Sequence, residues 1–451
     1  MSHPWGSCDD PEDSVTAQTR ASARPESPAL LPARGRRPSP PDPRASRFLG
    51  WLRRAAPALL LFLVARVAGL AVTVALSRGS ATHTLRRLAV HWDAAWYLDI
   101  ARHGYDHAIR PVQPGQHLHF TNLAFFPVYP ALIRLVHTVL AFVPWGAAGL
   151  LTAGLCSLVA AGGIFAVAAH RYGPRVGTIA TLLWGIAPTA AVESAGYSEA
   201  AFTALAAWAL YALATRRWLT AGALSILAGL TRPTGVAVAA AVVAAAALEV
   251  WSTVRESGSG PAWLERLSRS EECAETALPL GRTRLWRPAV AAVLAPMGWL
   301  GFVAWTGLRL HRWDAYFRIQ ALWRTRFDFG HTTAADFKML FTRDTPVNLY
   351  FPMVGCMLIA AAVLLVITFA QRQPLSWLVF SLVIIVITLG DAAYFSSRGR
   401  FLLPAFPLLL PIATALVRLR NRITLIAVLA SGTGLSALYG AYLMLYSPSP
   451  P

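Results

Sequence analysis

One polar stretch, from His91 to Tyr105, combines acidic and aromatic residues at helical spacing. If it is a helix, the residues of one face are spaced by four, three and four positions: Asp93, Tyr97, Ile100 and Gly104. The neighbouring face carries Trp92, Trp96, Asp99 and His103. A carboxylate held beside aromatic rings suits a base that works away from bulk water, so Asp93 is the candidate catalytic base. The alternative is an aromatic belt at a membrane interface, in which the acids are incidental.

The other titratable residues of this stretch have simpler interpretations. Asp99 points away from Asp93 and is expected to be a surface or structural acid. His91 and His103 are expected to be bystanders, although either could pair with a phosphate or an acid.

Composition indicates a polytopic, all-α membrane protein. Of 451 residues, 55% are hydrophobic and 14% are charged, with a mean hydropathy of +0.48. Several apolar runs approach the roughly 20 residues that cross a bilayer. The net charge of +18 comes mostly from arginines in the N-terminal region and in short loops, so we expect no nucleic-acid partner. The four cysteines are scattered and predict no disulfide framework.

The chain divides into a tail, a membrane domain and a short end. Residues 1–50 are rich in Pro, Ser and Arg and are expected to be a disordered cytoplasmic tail without a signal peptide. Residues 51–446 form the membrane domain, and 447–451 a short tail. We predict about eleven spans, at 57–76, 147–169, 176–192, 197–214, 218–233, 234–251, 288–309, 349–370, 375–392, 401–417 and 422–446. The helix at 131–143 carries Arg134 and His137 and is expected to lie on the outer surface.

The basic residues support this topology. The predicted cytoplasmic loops are 170–175, 215–218, 252–287, 371–374 and 418–422, and they hold most of the short arginine clusters. The predicted outer loops are 77–146, 193–196, 231–235, 310–348 and 392–400. Every polar cluster suited to chemistry then falls on the outer side, which favours a single outward-facing cavity in a protein of the plasma membrane.

Further candidates flank the predicted spans. Glu199 follows Tyr197 and Ser198 at the start of a span, where it either orders the site or serves as an acid favoured by the helix dipole. Arg232 lies at a helix break made by Pro233 and requires an anionic partner, either a protein acid or a phosphate.

Arg398 and Arg400 stand at the outer start of another span. Either they bind phosphate oxygens through their forked guanidinium groups, or they are interfacial cations that reach for water. No Walker loop, dinucleotide fingerprint or zinc spacing occurs, so we expect no metal and no cofactor.

Five sequence blocks resemble, in order, the PIG-V family of membrane mannosyltransferases, which includes GPI mannosyltransferase 2. They are Trp92-Asp93-Ala94-Ala95-Trp96-Tyr97 with Ile100-Ala101 and Gly104-Tyr105, Phe125-Phe126-Pro127-Val128-Tyr129-Pro130, Tyr197-Ser198-Glu199, Leu230-Thr231-Arg232-Pro233-Thr234-Gly235, and Arg400-Phe401 with Pro404 and Phe406-Pro407. Phe401 departs from the tyrosine expected in many relatives. The resemblance covers roughly residues 55–445.

The resemblance implies a GT-C fold with a large first outer loop, a lipid-phosphate sugar donor and a site that faces away from the cytoplasm. It implies that Asp93 is the base. Eukaryotic relatives add the second mannose to glycosylphosphatidylinositol precursors. The arginine bias of this chain, in which Lys338 is the only lysine, is typical of a GC-rich bacterium. The implied acceptor is therefore a cell-envelope glycolipid, a glycan or a protein.

The expected reaction is inverting transfer of mannose from polyprenyl phosphate. Asp93 takes the acceptor proton, while Arg398, Arg400 and Arg232 stabilise the departing phosphate. The donor and acceptor sugars are expected to contact Trp92, Trp96, Tyr97, Tyr197 and Glu199. Two alternatives remain: a multi-span transporter or lipid flippase, and a non-catalytic relative that scaffolds an envelope assembly.

Overall fold

The computed structural model describes residues 43–111, 119–256, 285–323, 325–342, 347–392 and 394–451. The chain divides into two units, 1–48 and 49–451, and the second contains every feature analysed below. Residues 1–42 of the predicted tail and 257–284 of the predicted cytoplasmic loop lie outside the described residues. Residues 43–50, which the sequence analysis assigned to the tail, belong to the first helix, Pro43–Leu76.

The described residues are almost entirely helical, which confirms the all-α, multi-pass fold class. The helices of the first half are α1 (Pro43–Leu76), α2 (Ala81–Val90), α3 (Asp93–His103), α4 (Val128–Val139), α5 (Trp145–Tyr172), α6 (Pro174–Gly185), α7 (Glu199–Ala214), α8 (Trp218–Gly229) and α9 (Val236–Glu256). The helices of the second half are α10 (Trp286–Leu294), α11 (Met297–Arg309), α12 (Ala315–Leu322), α13 (His331–Thr342), α14 (Tyr350–Ala370), α15 (Leu375–Gly390), α16 (Arg398–Phe401), α17 (Leu410–Val417) and α18 (Arg422–Leu445).

Short elements fill several connections. Two strands of two residues each, β1 (Arg110–Pro111) and β2 (His119–Phe120), pair antiparallel. Short 3-10 turns occupy Asn122–Ala124, Ala190–Ser194, Pro233–Gly235, Phe395–Ser397 and Phe406–Leu409.

Each predicted span coincides with one or more helices, but their lengths differ. Six described helical stretches are long and apolar enough to cross a membrane, or seven if a bent pair is one span. α7, α8 and α15 are apolar but shorter, so the count of eleven stays a prediction. α4 has twelve residues, fewer than the roughly 20 that a spanning helix needs, which agrees with its expected place on the surface.

The predicted span at 401–417 is not one continuous helix. The chain from Phe395 to Val417 bends by 77° between its two helical parts. Proline lacks the backbone N–H that continues a helix and its ring clashes with the preceding turn, so Pro404 and Pro407 break the segment. The break leaves α16 as a separate four-residue helix.

The core is built mainly from small side chains. α5 packs against α6 and α7, and α9 packs against α15. Alanine and glycine line many of these contacts, including Ala160, Ala161, Ala206 and Ala207, which are fully buried. Small residues let helix backbones approach closely, which is how helices in membranes associate.

The backbones of α8 and α11 approach each other closely at Gly298. A Cβ built on Gly298 would collide with the carbonyl of Ile226 in α8, whereas a Cβ on Gly301, one turn further along α11, meets nothing within 4 Å. This contact sets the position of α8, whose C-terminal end leads directly to Arg232.

We expect Gly298→Ala to lower the thermal unfolding temperature of the purified protein in detergent. Overpacking a tight contact of this kind costs about 1–3 kcal/mol. Gly301→Ala is the matched control and should be neutral or slightly stabilising, since alanine is the better helix former. Equal unfolding temperatures for the two variants would contradict the close approach of α8 and α11.

Candidate active site

The centre of the site is an ion pair between residues 307 positions apart in the chain. Nη1 of Arg400 donates to Oδ2 of Asp93 over 2.6 Å. Asp93 is the first residue of α3, where the helix dipole favours a negative charge. Arg400 lies in α16, the short helix that the prolines separate from α17. The two residues that the sequence assigned to proton and phosphate chemistry are therefore in direct contact.

A second acid and a second arginine complete the cluster. Oε1 of Glu199 lies 2.7 Å from Nη1 of Arg232 and 3.4 Å from Nη1 of Arg400. Glu199 begins α7, and Arg232 stands in the break between α8 and α9. The expected anionic partner of Arg232 is thus a protein acid. Asp93, Glu199, Arg232 and Arg400 form what we call the ion cluster, which carries two charges of each sign.

Ser198 links the ion cluster to α3. Its Oγ accepts a hydrogen bond of 3.0 Å from Nη1 of Arg232 and lies 2.7 Å from the hydroxyl of Tyr97. Burial raises the pKa of Tyr97, which keeps its hydroxyl protonated. Tyr97 also meets the rings of Phe125 and Tyr129 edge to face. Tyr97 lies one turn after Asp93 on the same face of α3, as the spacing predicts. It therefore reaches the ion cluster through Ser198.

Aromatic rings surround the guanidinium groups. The Phe401 ring lies 5.3 Å from the Arg400 guanidinium carbon and 5.6 Å from that of Arg232. The Tyr197 ring lies 5.2 Å from Arg400 on another side. Contacts of this kind stabilise a cation away from water. The phenylalanine at 401, where a tyrosine was expected, supplies a ring face to both arginines.

Exposure differs sharply within the ion cluster. The Asp93 side chain is 21% exposed, whereas those of Arg400 and Glu199 are 6% and 1% exposed. A ligand would thus approach from the Asp93 side. Trp92, immediately before it, is partly exposed and has a φ of +53°, a region that residues with a Cβ rarely occupy. Strained backbone of this kind concentrates at functional sites.

Trp96 belongs to a neighbouring aromatic group rather than to the ion cluster. Its ring stacks on Phe125 at 6.0 Å and meets Trp323 edge to face at 5.2 Å. Phe120 packs on the other side of Trp323. His91 packs against the ring of Trp92, and burial lowers the pKa of His91.

Sequence reasoning missed the polar network that holds the loop after α3. Asp106 accepts hydrogen bonds from the Thr121 hydroxyl and the backbone N–H of Asn122, and the Asn122 side chain donates to Asp99 at 3.0 Å. Nε of Arg309 donates to the Asp106 carbonyl at 2.8 Å. Asp99 also pairs with His103 on the surface. Asp99 therefore has the structural role expected for it.

The structure separates Arg398 from Arg400. Successive residues of a helix turn by about 100°, so positions 398 and 400 face roughly opposite directions. Arg398 donates to Asp336 at 3.2 Å and to the Asp391 carbonyl at 2.8 Å, and it packs on Phe395. Both arginines are buried, so the alternative of cations reaching for water is wrong. No sequence signal indicated Asp336 as a partner.

Another buried acid lies close to the ion cluster. Glu193 is 1% exposed, and neither of its carboxylate oxygens has a hydrogen-bond partner among the described residues. Nearby, Arg66 of α1 donates to the Ser194 hydroxyl at 2.7 Å and to the Gly185 carbonyl at 3.1 Å. Burial raises the pKa of Glu193 to about 8. The positive charge of Arg66 lowers this pKa and the negative charge of Glu199 raises it, but both effects are smaller than that of burial.

The arrangement places a possible proton acceptor, Asp93, beside a group that can bind an anionic ligand, Arg400. Asp93 is a partly exposed carboxylate, and Arg400 is a guanidinium with a forked set of donors beside it. Within the described ranges, no group of three or more His, Cys, Asp and Glu side chains could hold a metal ion.

Comparisons with known proteins identify a sequence relative and a structural one. No protein-family model matches the chain. It is 33% identical over 157 residues to GPI alpha-1,6-mannosyltransferase 2 of Mus musculus, over 32% of this chain and 29% of the mouse protein. This similarity confirms the resemblance that the motifs indicated, although the chain matches less than a third of the mouse enzyme.

The structural matches are to archaeal oligosaccharyltransferase structures. They are to the oligosaccharyltransferase AglB of Archaeoglobus fulgidus with an inhibitory peptide and a dolichol-phosphate, at a TM-score of 0.44 and 11% identity, and to an oligosaccharyltransferase of that organism with zinc and sulfate, at 0.43 and 13%. Each match covers 87% of this chain and just over half of the other.

The raised pKa of Glu193 predicts a pH dependence of stability. The carboxyl has an ordinary pKa of 4.5 in the unfolded chain and about 8 in the fold. The folded state therefore holds a proton that the unfolded state releases, so its stabilising effect is complete below pH 4.5 and is lost as the pH rises to 8. We expect the unfolding temperature in detergent to fall over this range.

Glu193→Gln is the matched variant, because it keeps the shape and removes the titration. Its unfolding temperature should fall less steeply between pH 4.5 and 8 than that of the wild type. Parallel curves for the two proteins would show that Glu193 does not titrate in this range.

Proposed function

We propose that the chain is an integral membrane glycosyltransferase with a GT-C fold that transfers mannose from a polyprenyl-phosphate donor to a hydroxyl group. The observation that supports this most strongly is the ion cluster, whose four residues come from four separate sequence blocks. In it the partly exposed Asp93 carboxylate contacts the buried Arg400 guanidinium. The sequence similarity to a mannosyltransferase supports mannose as the sugar. The acceptor is a cell-envelope glycolipid, a glycan or a protein.

The proposed reaction inverts the anomeric carbon. The acceptor hydroxyl attacks this carbon from the face opposite the phosphate, and Asp93 takes the hydroxyl proton. The bond between the anomeric carbon and the phosphate oxygen breaks, and polyprenyl phosphate leaves with the electron pair. Arg400 stabilises the negative charge that grows on this oxygen.

The ion pair gives this reaction an order of events. Nη1 of Arg400 donates to Oδ2 of Asp93. A donor phosphate that binds Arg400 competes with the carboxylate for the same N–H groups. Binding of the donor therefore releases Asp93, which is then available to accept the acceptor proton.

The remaining members of the ion cluster position Arg400 and balance its charge. Glu199 is buried and lies within 3.4 Å of both arginines, so it keeps them fixed and partly neutralised. Arg232 is held by Ser198 and Glu199 and adds positive charge without a free approach to solvent. Trp92, which is partly exposed beside Asp93, contacts the sugar. Tyr97 and Tyr197 are buried against Ser198 and Arg400 and help to position them, and Trp96 belongs to the adjoining aromatic group.

The proposal places this site on the outer face of the plasma membrane, with the N-terminal tail in the cytoplasm. The arginine clusters of the short loops support this orientation. The loop 77–146 and the loop 310–348 then share the outer face, where Trp96 of the first loop meets Trp323 of the second.

The direct test follows transfer of radiolabelled mannose from polyprenyl phosphate to endogenous acceptors in membranes that contain the protein. We expect Asp93→Asn to lower the transfer rate about 100-fold or more, since a general base contributes about 10²–10⁴-fold. The variant keeps the shape of the side chain but leaves a buried arginine without its counter-charge, so its unfolding temperature should fall, and the transfer rate is compared per amount of folded protein in the membrane.

Asp99→Asn is the matched control on the same helix. Its new side chain still accepts from Asn122, and the pair it loses with His103 is exposed. It should transfer mannose at close to the wild-type rate. Near wild-type transfer by Asp93→Asn would remove Asp93 from the mechanism, and movement of labelled lipid without transfer would favour a flippase.

Cysteine accessibility tests the proposed orientation. In a background with Cys8, Cys156, Cys273 and Cys356 changed to serine, single cysteines replace His103, Trp313 or Leu419, which are all exposed. A membrane-impermeant maleimide added to intact cells should label positions 103 and 313 at once, and position 419 only after the cells are permeabilised. Labelling of 103 and 419 from the same side would overturn the topology.

A further inference from the structure

Arg398 is a fully buried cation to which the proposed reaction gives no task. It precedes Arg400 by two positions in α16 and faces the other way, so it does not reach the ion cluster. A cation buried this deeply requires a counter-charge. Nη1 of Arg398 lies 3.2 Å from the carboxylate of Asp336 in α13. The pair therefore joins the loop 310–348 to the helix that carries Arg400.

The position of α16 depends on side-chain contacts more than on its own backbone. A helix of four residues has few backbone hydrogen bonds to hold it in place. Arg398 at its start contacts Asp336. In its middle, the Gly399 carbonyl accepts a hydrogen bond of 3.1 Å from the Thr189 hydroxyl. Movement of Arg398 would turn the helix about this middle contact and displace Arg400 on the other side.

The Asp336 carboxylate is presented from a fixed place. Asp328 accepts a hydrogen bond of 2.9 Å from the backbone N–H of Thr332, which holds the start of α13. The Thr333 hydroxyl donates to the carbonyl of Leu389, at the end of α15, over 2.6 Å. Asp336 follows Thr333 by one helical turn, so it is anchored to α15 through α13.

Asp336 does more than supply a counter-charge to Arg398. The negative charges of Asp391 and Asp328 also act on this guanidinium, so Asp336 is not its only acid. The Asp391 carbonyl accepts a hydrogen bond of 2.8 Å from Nη2 of Arg398, and the Phe395 ring lies 5.1 Å from the guanidinium carbon. What Asp336 adds is a fixed carboxylate at hydrogen-bond distance, which sets the direction of the Arg398 side chain.

We propose that Asp336 and Arg398 are positioning residues for Arg400. Their contact sets where α16 stands, and so how Arg400 meets Asp93 and the donor phosphate. Neither residue touches the reacting atoms. The consequence for the donor phosphate rests on the proposed function, whereas the coupling between the two ion pairs of α16 does not.

Unfolding temperatures of the full-length protein in detergent test the coupling without any activity. Asp336→Asn and Asp93→Asn each remove one charged contact of α16, and each should lower the unfolding temperature. A helix already released at Arg398 holds Arg400 less firmly against Asp93, so the second substitution then removes less. The drop in the double variant should therefore be smaller than the sum of the two single drops, whereas independent sites give additive drops.

Asp314→Asn is the matched control for this comparison. Asp314 lies in the same loop as Asp336 but pairs with Arg312 and Arg318, whose side chains are exposed. Its effect on the unfolding temperature should add to that of Asp93→Asn. Additive drops for the combination of Asp336→Asn with Asp93→Asn would overturn the proposal.

Transfer of radiolabelled mannose from polyprenyl phosphate tests the consequence for the donor. Per amount of folded protein, Asp336→Asn should lower kcat/KM for the donor about tenfold to 100-fold, because a small misplacement of Arg400 weakens its contact with the leaving phosphate. Asp336→Glu keeps the carboxylate and should recover part of the loss, while Asp314→Asn should match the wild type. A merely structural role would reduce the amount of folded protein and leave kcat/KM unchanged, which would also overturn the proposal.

The two measurements separate this inference from the proposed function. Non-additive drops in a protein that transfers no mannose would leave the coupling through α16 and remove the proposed reaction. Transfer by the wild type together with additive drops would leave the reaction and remove the positioning role of Asp336 and Arg398.

Discussion

The cost of removing charge from water governs the site. Taking an ion into a low-dielectric interior costs several kcal/mol even after relaxation, and the cost is recovered only with a well-placed counter-charge. Arg232, Arg400 and Glu199 are almost fully buried. Their burial is possible because the ion cluster is neutral, with Asp93 as its fourth member. The same argument applies to Arg398 with Asp336.

The four charges of the ion cluster must meet at one point to neutralise one another, which explains why the helices around the site end or break there. Each charged residue of the ion cluster stands at a helix end or a helix break: Asp93 at the start of α3, Glu199 at the start of α7, Arg232 between α8 and α9, and Arg400 in α16. Helix starts place acids where the dipole favours them. Breaks made by Pro233, Pro404 and Pro407 turn the chain so that each side chain reaches a common point, and the glycine contact between α8 and α11 holds one of these breaks in position.

The sequence predicted the members of this cluster better than it predicted their contacts. Arg232 was recognised because a charged residue at a helix break between apolar runs is expensive and requires a partner. Asp93 was recognised by its place beside aromatic rings at helical spacing, and Glu199 and Arg400 by their positions at the starts of predicted spans. The partners themselves were not predictable, because contacts across 307 residues depend on how the helices pack. Arg398 and Arg400 are two positions apart, and only the helical geometry of α16 shows that they face different sites. Asp336 and the Asp106–Asn122 network carry no signal in spacing or composition.

The position of α16 links the two sites through one short element. Arg400 on one side pairs with Asp93, and Arg398 on the other side pairs with Asp336. A four-residue helix flanked by a turn and a proline-rich break is easier to shift than a long packed helix, because few backbone hydrogen bonds hold it. A ligand that alters the Arg398–Asp336 contact therefore acts on the same rigid unit that carries Arg400.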